Sequence, residues 1–169
     1  MCQWKSALVT KTGKILHHWA LDSHEDLVSH FNMNDDGIMD RFVRIEFVPQ
    51  GKHTEISKYK LILDEQGAPD WWTEKLRDRV TEDMKRIIKK MIVTNDTDLL
   101  VGGEYIVARK ASICTVWASR IISLQDNATI NDVRGNATVN YVWDNATVNY
   151  VWGNATINYV RDNATINDV

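Results

Sequence analysis

Four histidines, His17, His18, His24 and His30, fall close together in the first third of the chain, with Asp22 and Glu25 beside them. Imidazole and carboxylate together form the donor set of zinc and related transition metals. The spacing matches no standard site, and adjacent His17 and His18 would point to opposite faces of a strand. No metal and no cofactor is therefore expected.

A second candidate follows directly. Asn32-Met33-Asn34-Asp35-Asp36-Gly37 has the opening of an EF-hand calcium loop, with Asp40 at the ninth position. The twelfth position of such a loop is a bidentate glutamate and here is Val43. A turn closing a helix explains the segment equally well. Further along, Lys85, Arg86, Lys89 and Lys90 make the end of a long helix basic. Cations belong at a helix C-terminus, and Glu74, Asp78, Glu82 and Asp83 balance the face. DNA or RNA contact through these four residues is an alternative reading. There is no nucleophile motif, phosphate-binding glycine loop or paired-carboxylate signature, so the chain is not expected to be an enzyme. A metal-dependent enzyme built on the histidines is the remaining alternative.

The residues that say most are Tyr141, Trp143, Tyr150, Trp152 and Tyr159. They occur in a run of nine-residue repeats, NATINDVRG, NATVNYVWD, NATVNYVWG, NATINYVRD, NATINDV, beginning at Asn127. Ala128, Ile130 and Val133 of the first unit recur as Ala137, Val139 and Val142, and so on through Ala164, Ile166 and Val169. Ala and Ile or Val two apart share one face of a strand, and the third apolar residue breaks parity once per unit. A corner at the intervening Asn restores it. The other corner falls at the Asp-Asn or Gly-Asn pair, which is turn chemistry. Thr, Val, Ile, Tyr and Trp favour strand, and nine is a poor multiple of the helical period. The array reads as a parallel β-solenoid with two units to a coil of about eighteen residues. The Gly-Gly-x-Gly-x-Asp calcium pattern of some β-rolls is absent.

With Ala, Ile and Val taking the inward positions, the five aromatics point outward. Asp132 and Arg134 precede them, and Arg161 and Asp168 follow. They are expected to form an apolar patch with a polar rim that includes Arg134 and Arg161, the anatomy of a protein interface. The competing expectation is a face that merely tolerates strand formers, or aromatics that pack on the head, the N-terminal part of the chain. Two looser units, Ser119 to Leu124 and Ala111 to Val116 (the second one residue out of phase), place the start of the array near residue 110.

The other elements form a small α+β head. Trp4 to Thr10 and Lys14 to Leu21 flank a hairpin turn at Lys11-Thr12-Gly13. Ser23-His24-Glu25-Asp26 has the form of a capping box, opening a helix through Phe31. Phe42 to Val48 and Tyr59 to Leu63 are strands. Trp71 to Ile92 is the long helix, with Trp72, Leu76, Val80, Met84, Ile87, Ile88 and Met91 as its stripe. The division expected is residues 1–98 as an α+β head and 99–169 as the solenoid. An open solenoid end must be covered, so the head is expected to cap the first coil. The chain stops inside a repeat at Asp168-Val169, which predicts end-to-end pairing of two copies or another partner there.

A net charge of −3 over 169 residues gives no general attraction to nucleic acid or anionic membranes. No apolar run is long enough to span a bilayer, and Met1 to Ser6 lacks the features of a secretion signal. The two cysteines, Cys2 and Cys114, lie far apart, which predicts a reduced cytoplasmic protein. The five Asn-Ala-Thr glycosylation sequons are then by-products of the repeat.

The stretch from Asp126 to Val169 resembles the D-N-A-T-[IV] β-helix tails of small proteins encoded by phages and prophages. Cys2-Gln3-Trp4-Lys5-Ser6 and Ala68-Pro69-Asp70-Trp71-Trp72 look like the heads that accompany such tails. The resemblance transfers no catalytic residue. It implies a small cytoplasmic protein of a mobile element, a group in which inhibitors of host defence, including anti-CRISPR proteins, are common. The sequence thus predicts a non-enzymatic binding or inhibitory protein, acting on a protein partner or on a second copy of itself.

Overall fold

The chain is an α+β head followed by a parallel β-solenoid, and its contacts divide it into two units after Lys89. The computed structural model describes residues 5–21, 23–33 and 41–169.

In the head, β1 (Lys5–Thr10) and β2 (Ile15–Leu16) form the hairpin. Its turn closes through Gly13, whose φ of 85° suits a residue without a side chain. β2 is much shorter than expected: pairing ends at Leu16, before the His17-His18 pair. β3 (Phe42–Pro49) and β4 (Tyr59–Leu63) complete an antiparallel sheet in the order β2-β1-β3-β4. α1 (His24–His30) begins as the capping motif requires, with the Ser23 hydroxyl accepting from the Asp26 amide at 3.0 Å. Leu27 of α1 buries against Leu8, Leu16 and Phe42, so this helix covers one face of the sheet.

The long helix, α2 (Glu74–Met91), starts later than its apolar spacing predicts. The Trp72 amide bonds to the Pro69 carbonyl in a turn, and the Thr73 side chain accepts from Leu76, ending the turn and opening the helix. Its buried residues are Val80, Met84 and Ile88, a narrower stripe than the sequence implies. No helix among the described residues is long and apolar enough to cross a membrane.

The solenoid has two parallel sheets. One runs β5 (Ile92–Val93), β7 (Glu104–Val107), β9 (Arg120–Leu124), β11 (Thr138–Val142), β13 (Thr156–Val160). The other runs β6 (Thr97–Val101), β8 (Ser112–Trp117), β10 (Thr129–Arg134), β12 (Thr147–Val151), β14 (Thr165–Asp168). Successive nine-residue units alternate between the sheets, and two make one coil. The inward set, Ala128, Ile130, Val133, Ala137, Val139, Val142, Ala146 and Val148, is fully buried. Each buried Ile or Val contributes about 1.5–3 kcal/mol.

The ladders begin well upstream of the legible repeat. Ile92 lies opposite Ile106, Thr97 opposite Ile113, and Ile113 opposite Ile130. Those offsets are fourteen, sixteen and seventeen residues. Only from Ile121 opposite Val139 does the offset settle at eighteen. A register irregularity at Tyr105/Ile106 absorbs part of the difference.

The corners also differ from expectation in one respect. The backbone enters the left-handed region once per unit, at Asp126, Gly135, Asp144, Gly153 and Asp162, with φ between 58° and 68°. The Asn residues at the parity break (Asn131, Asn140, Asn149, Asn158 and Asn167) stay inside their strands with no positive φ. They bend the strand without turning it, and their side chains form ladders instead. Asn149 donates to Asn131 at 3.1 Å, Asn158 to Asn140 at 3.0 Å, and Asn167 to Asn149 at 2.8 Å.

Candidate functional site

Two columns of corners run along the solenoid. One is Arg109, Asp126, Asp144 and Asp162, all at positive φ. The Asp126 carboxylate accepts from the Arg109 amide at 2.9 Å, and Asp144 accepts from the Asp126 amide at 3.0 Å. Asp162 accepts from the Asp144 amide at 3.4 Å. Each aspartate thereby satisfies an amide that the tight corner leaves outside the strand ladder. The other column is Ala118, Gly135 and Gly153, also at positive φ. At Ala118 the Ser119 hydroxyl spans the corner to the Trp117 carbonyl at 2.9 Å, whereas the glycine corners carry no aspartate of this kind.

Beside the glycine column stand Trp117, Arg134 and Trp152, which the register stacks one above another. The two indoles are 49% and 50% exposed. Together with Arg134, Gly135, Gly153 and Asn154 they line a shallow slot of about 540 Å³. A β-carbon at Gly135 would lie 3.3 Å from the Trp117 ring, so glycine lets that indole lie across the corner. Arg134 does not fill the slot. Its guanidinium turns to Asp132 at 2.9 Å, and the Trp152 indole N–H donates to the same carboxylate oxygen at 2.9 Å. Trp152 also stacks on Tyr150, with ring centroids 5.9 Å apart. The Arg134 hydrogen bond, helped by those from Trp152 and Asn131, outweighs desolvation and holds the Asp132 carboxyl below the usual range. The slot therefore has a charged, internally neutralised edge and two aromatic walls, of which Trp152 is held by Asp132 and Tyr150.

The five outward aromatics do not form one patch. Tyr150 and Trp152, with Arg134, belong to the sheet of β10 and β12. Tyr141 and Tyr159 lie on the opposite sheet, stacked at 5.1 Å, with Trp143 stacked on Tyr141 at 5.6 Å. Arg161 is exposed one rung beyond Trp143 on that side. Residues nine apart in a coil of eighteen cannot share a face. Trp117 is a site residue that the repeat reading missed. Its signal was present, because Ile113 to Trp117 aligns with Ile130 to Arg134 once the seventeen-residue offset is allowed.

The chain matches no protein-family model, no curated protein and no solved structure.

The remaining sequence candidates separate in space. His18 and His30 approach with ring centroids at 4.7 Å, among Trp19 and Phe31, in an aromatic cluster. His17 is pushed down to about 4, first by burial and then by Lys5 and His18. His24 is buried elsewhere, against Ile45 and Asp64. Of the calcium-loop segment that opens at Asn32, residues 34–40 lie outside the described residues, as do Cys2 and Asp22. On α2, Lys85 pairs with Glu82 and Arg86 with Asp83, both at 2.7 Å, while Lys89 and Lys90 are exposed. Half of the basic patch is thus answered by its own helix. Cys114 is an exposed thiol at the register position of Asn131.

Proposed function

We propose that the chain is a non-enzymatic binding protein that grips a protein partner with the Trp117–Trp152 face of its solenoid. The observation that carries this reading is the pair of half-exposed indoles walling a glycine-floored slot. Rigid aromatic surface left open to water favours burial by a partner, and Trp, Tyr and Arg dominate the energetics of interfaces. The entropy of ordering Trp152 is already spent, because Asp132 and Tyr150 hold it. The strip of Tyr141, Trp143 and Tyr159, with Arg161 at its margin, is the second contact surface.

The resemblance of the Asp126–Val169 repeats to phage tails favours a concrete version, an inhibitor of a bacterial defence complex carried by a mobile element and acting in the cytoplasm. An exposed unpaired thiol at Cys114 suits a reducing compartment. The ion pairs of Lys85 and Arg86 on α2 speak against the nucleic-acid alternative.

The test is affinity capture from bacterial lysate with the wild type, with Trp117→Ser/Trp152→Ser, and with Tyr141→Ser/Tyr159→Ser. A partner held by the wild type and lost from the tryptophan variant, with unchanged circular dichroism and melting, is the expected result. Identical captures from wild type and tryptophan variant overturn the reading. Loss from the tyrosine variant alone moves the site to the other face.

A further inference from the structure

The head brings together three ligand-type side chains that the sequence keeps apart. His24 opens α1, Glu46 sits in β3, and Asp64 follows β4. Glu46 lies opposite Ile62 in the β3–β4 register, and the Asp64 amide donates to the Arg44 carbonyl at 2.9 Å. Side chains alternate along a strand, so Glu46 and Asp64 project from the same face of the sheet. The N-terminus of α1 lies over that face and places the His24 ring there, 2% exposed. One ligand atom from each of the three residues lies within 4.8 Å of the other two.

The two nitrogens of His24 have different partners. Nε2 is 3.0 Å from the Ile45 carbonyl oxygen. A carbonyl only accepts, so Nε2 carries a proton and donates it. In the neutral ring this leaves the lone pair on Nδ1, which is 3.1 Å from Asp64 Oδ2. An ionised carboxylate also only accepts. A proton on Nδ1 or a cation bound to both atoms reconciles that pair. A Glu46 carboxylate oxygen lies within 4.8 Å of both atoms, so the three donors make a set that a single cation can bridge.

We propose that His24 Nδ1, Glu46 and Asp64 bind one divalent transition metal of the zinc class. Ligand bonds of about 2.1 Å place neighbouring donor atoms about 3.0–3.4 Å apart, as Nδ1 and Asp64 Oδ2 already are. One imidazole nitrogen selects zinc-class ions over calcium and magnesium, which prefer all-oxygen sites. The Ile45 carbonyl does what outer partners of metal-bound histidines commonly do: it fixes the tautomer and aims the other ring nitrogen, Nδ1, at the carboxylates. The Asp64 side chain is 57% exposed, so the ion enters from solvent and keeps water on its open side. Of the clustered histidines of the sequence this set takes only His24, and it stands independently of the solenoid's role.

The experiment is a Zn²⁺ titration of the untagged full chain after chelator treatment. Calorimetry gives stoichiometry, and nitrogen NMR of the histidine rings gives the site. One equivalent binds, the His24 Nδ1 resonance moves to a metal-bound position, and Nε2 keeps its proton. Glu46→Gln and Asp64→Asn, chosen because both preserve shape, each weaken binding by at least about tenfold. His18→Ala/His30→Ala leaves the affinity unchanged. A His24 ring that stays protonated on Nδ1 at saturating Zn²⁺ overturns the proposal. So does the absence of saturable uptake, or uptake abolished by the His18/His30 variant.

Discussion

The head and the solenoid satisfy their polar groups in opposite ways. In the head each arrangement is made once: His24 between Ile45 and Asp64, Arg44 with Glu65, and the Tyr59 hydroxyl donating to the His53 carbonyl. In the solenoid one arrangement recurs every eighteen residues, and its own columns divide the work. The aspartate corners tie each coil to the next, while the glycine corners hold no such tie and leave room for the tryptophans. All five histidines are in the head and none is in the solenoid. The lesson is that the repeat obtains rigidity from one bond used many times, whereas the head concentrates its chemistry in contacts that have no copies.

Acid should separate the two regions most strongly. Burial holds His53 at about 4, well under its ordinary 6.5, and His17 is lowered likewise. Below pH 6.5 the unfolded chain takes up protons that the folded head refuses, so stability is complete above that value and is lost as pH falls towards 4. For His53 alone the loss is roughly 3 kcal/mol. The solenoid's shifted carboxyl, Asp132, has its pKa lowered, so its contribution is lost only below the usual carboxylate range. Urea melts at pH 7.5 and 4.5, followed by NMR signals from each region, should show the head weakening and the solenoid holding. An equal fall in both regions would break the comparison.

Within the solenoid, Gly135→Val should cost about 2–3 kcal/mol, combining a β-branched residue at positive φ with crowding of Trp117. Its denaturation midpoint is the readout, and loss of the slot should accompany it. Asp144→Ala should cost about 2 kcal/mol, through the left-handed backbone and the unanswered Asp126 amide. Asp144→Gly should recover the backbone part only. An Asp144→Ala midpoint equal to that of wild type would show that the aspartate ladder contributes nothing. Gly153→Ala meets open space and should cost about 1 kcal/mol from φ alone. A cost as large as that of Gly135→Val would show that Trp117 is not what makes the two glycines differ.

Much of this architecture was legible because it repeats. The inward Ala, Ile and Val, the eighteen-residue coil and the Asp-Asn or Gly-Asn corner all follow from side-chain parity and turn chemistry. In the head, β3, β4 and the Ser23 cap were readable from alternation and from one hydroxyl. The upstream rungs were not, since offsets of fourteen to seventeen residues erase the period while the ladders persist. The Asn bend was misplaced as a corner because a change of parity needs a kink in the strand but no reversal of it. Trp117 was hidden by a single missing residue. Nothing local joins His24, Glu46 and Asp64; only the β3–β4 register and the placement of α1 do so.

The two-unit coil also limits how such a tail can change length. Inserting a single nine-residue unit would exchange the two faces for everything downstream. Tryptophans would move to the opposite surface, aspartates would land under glycines, and the amide ties between coils would lose their partners. Inserting two units would preserve every column and simply carry the same surface further along the axis. Lengthening or shortening is therefore tolerated in even steps, and a family of such tails should count its units by parity.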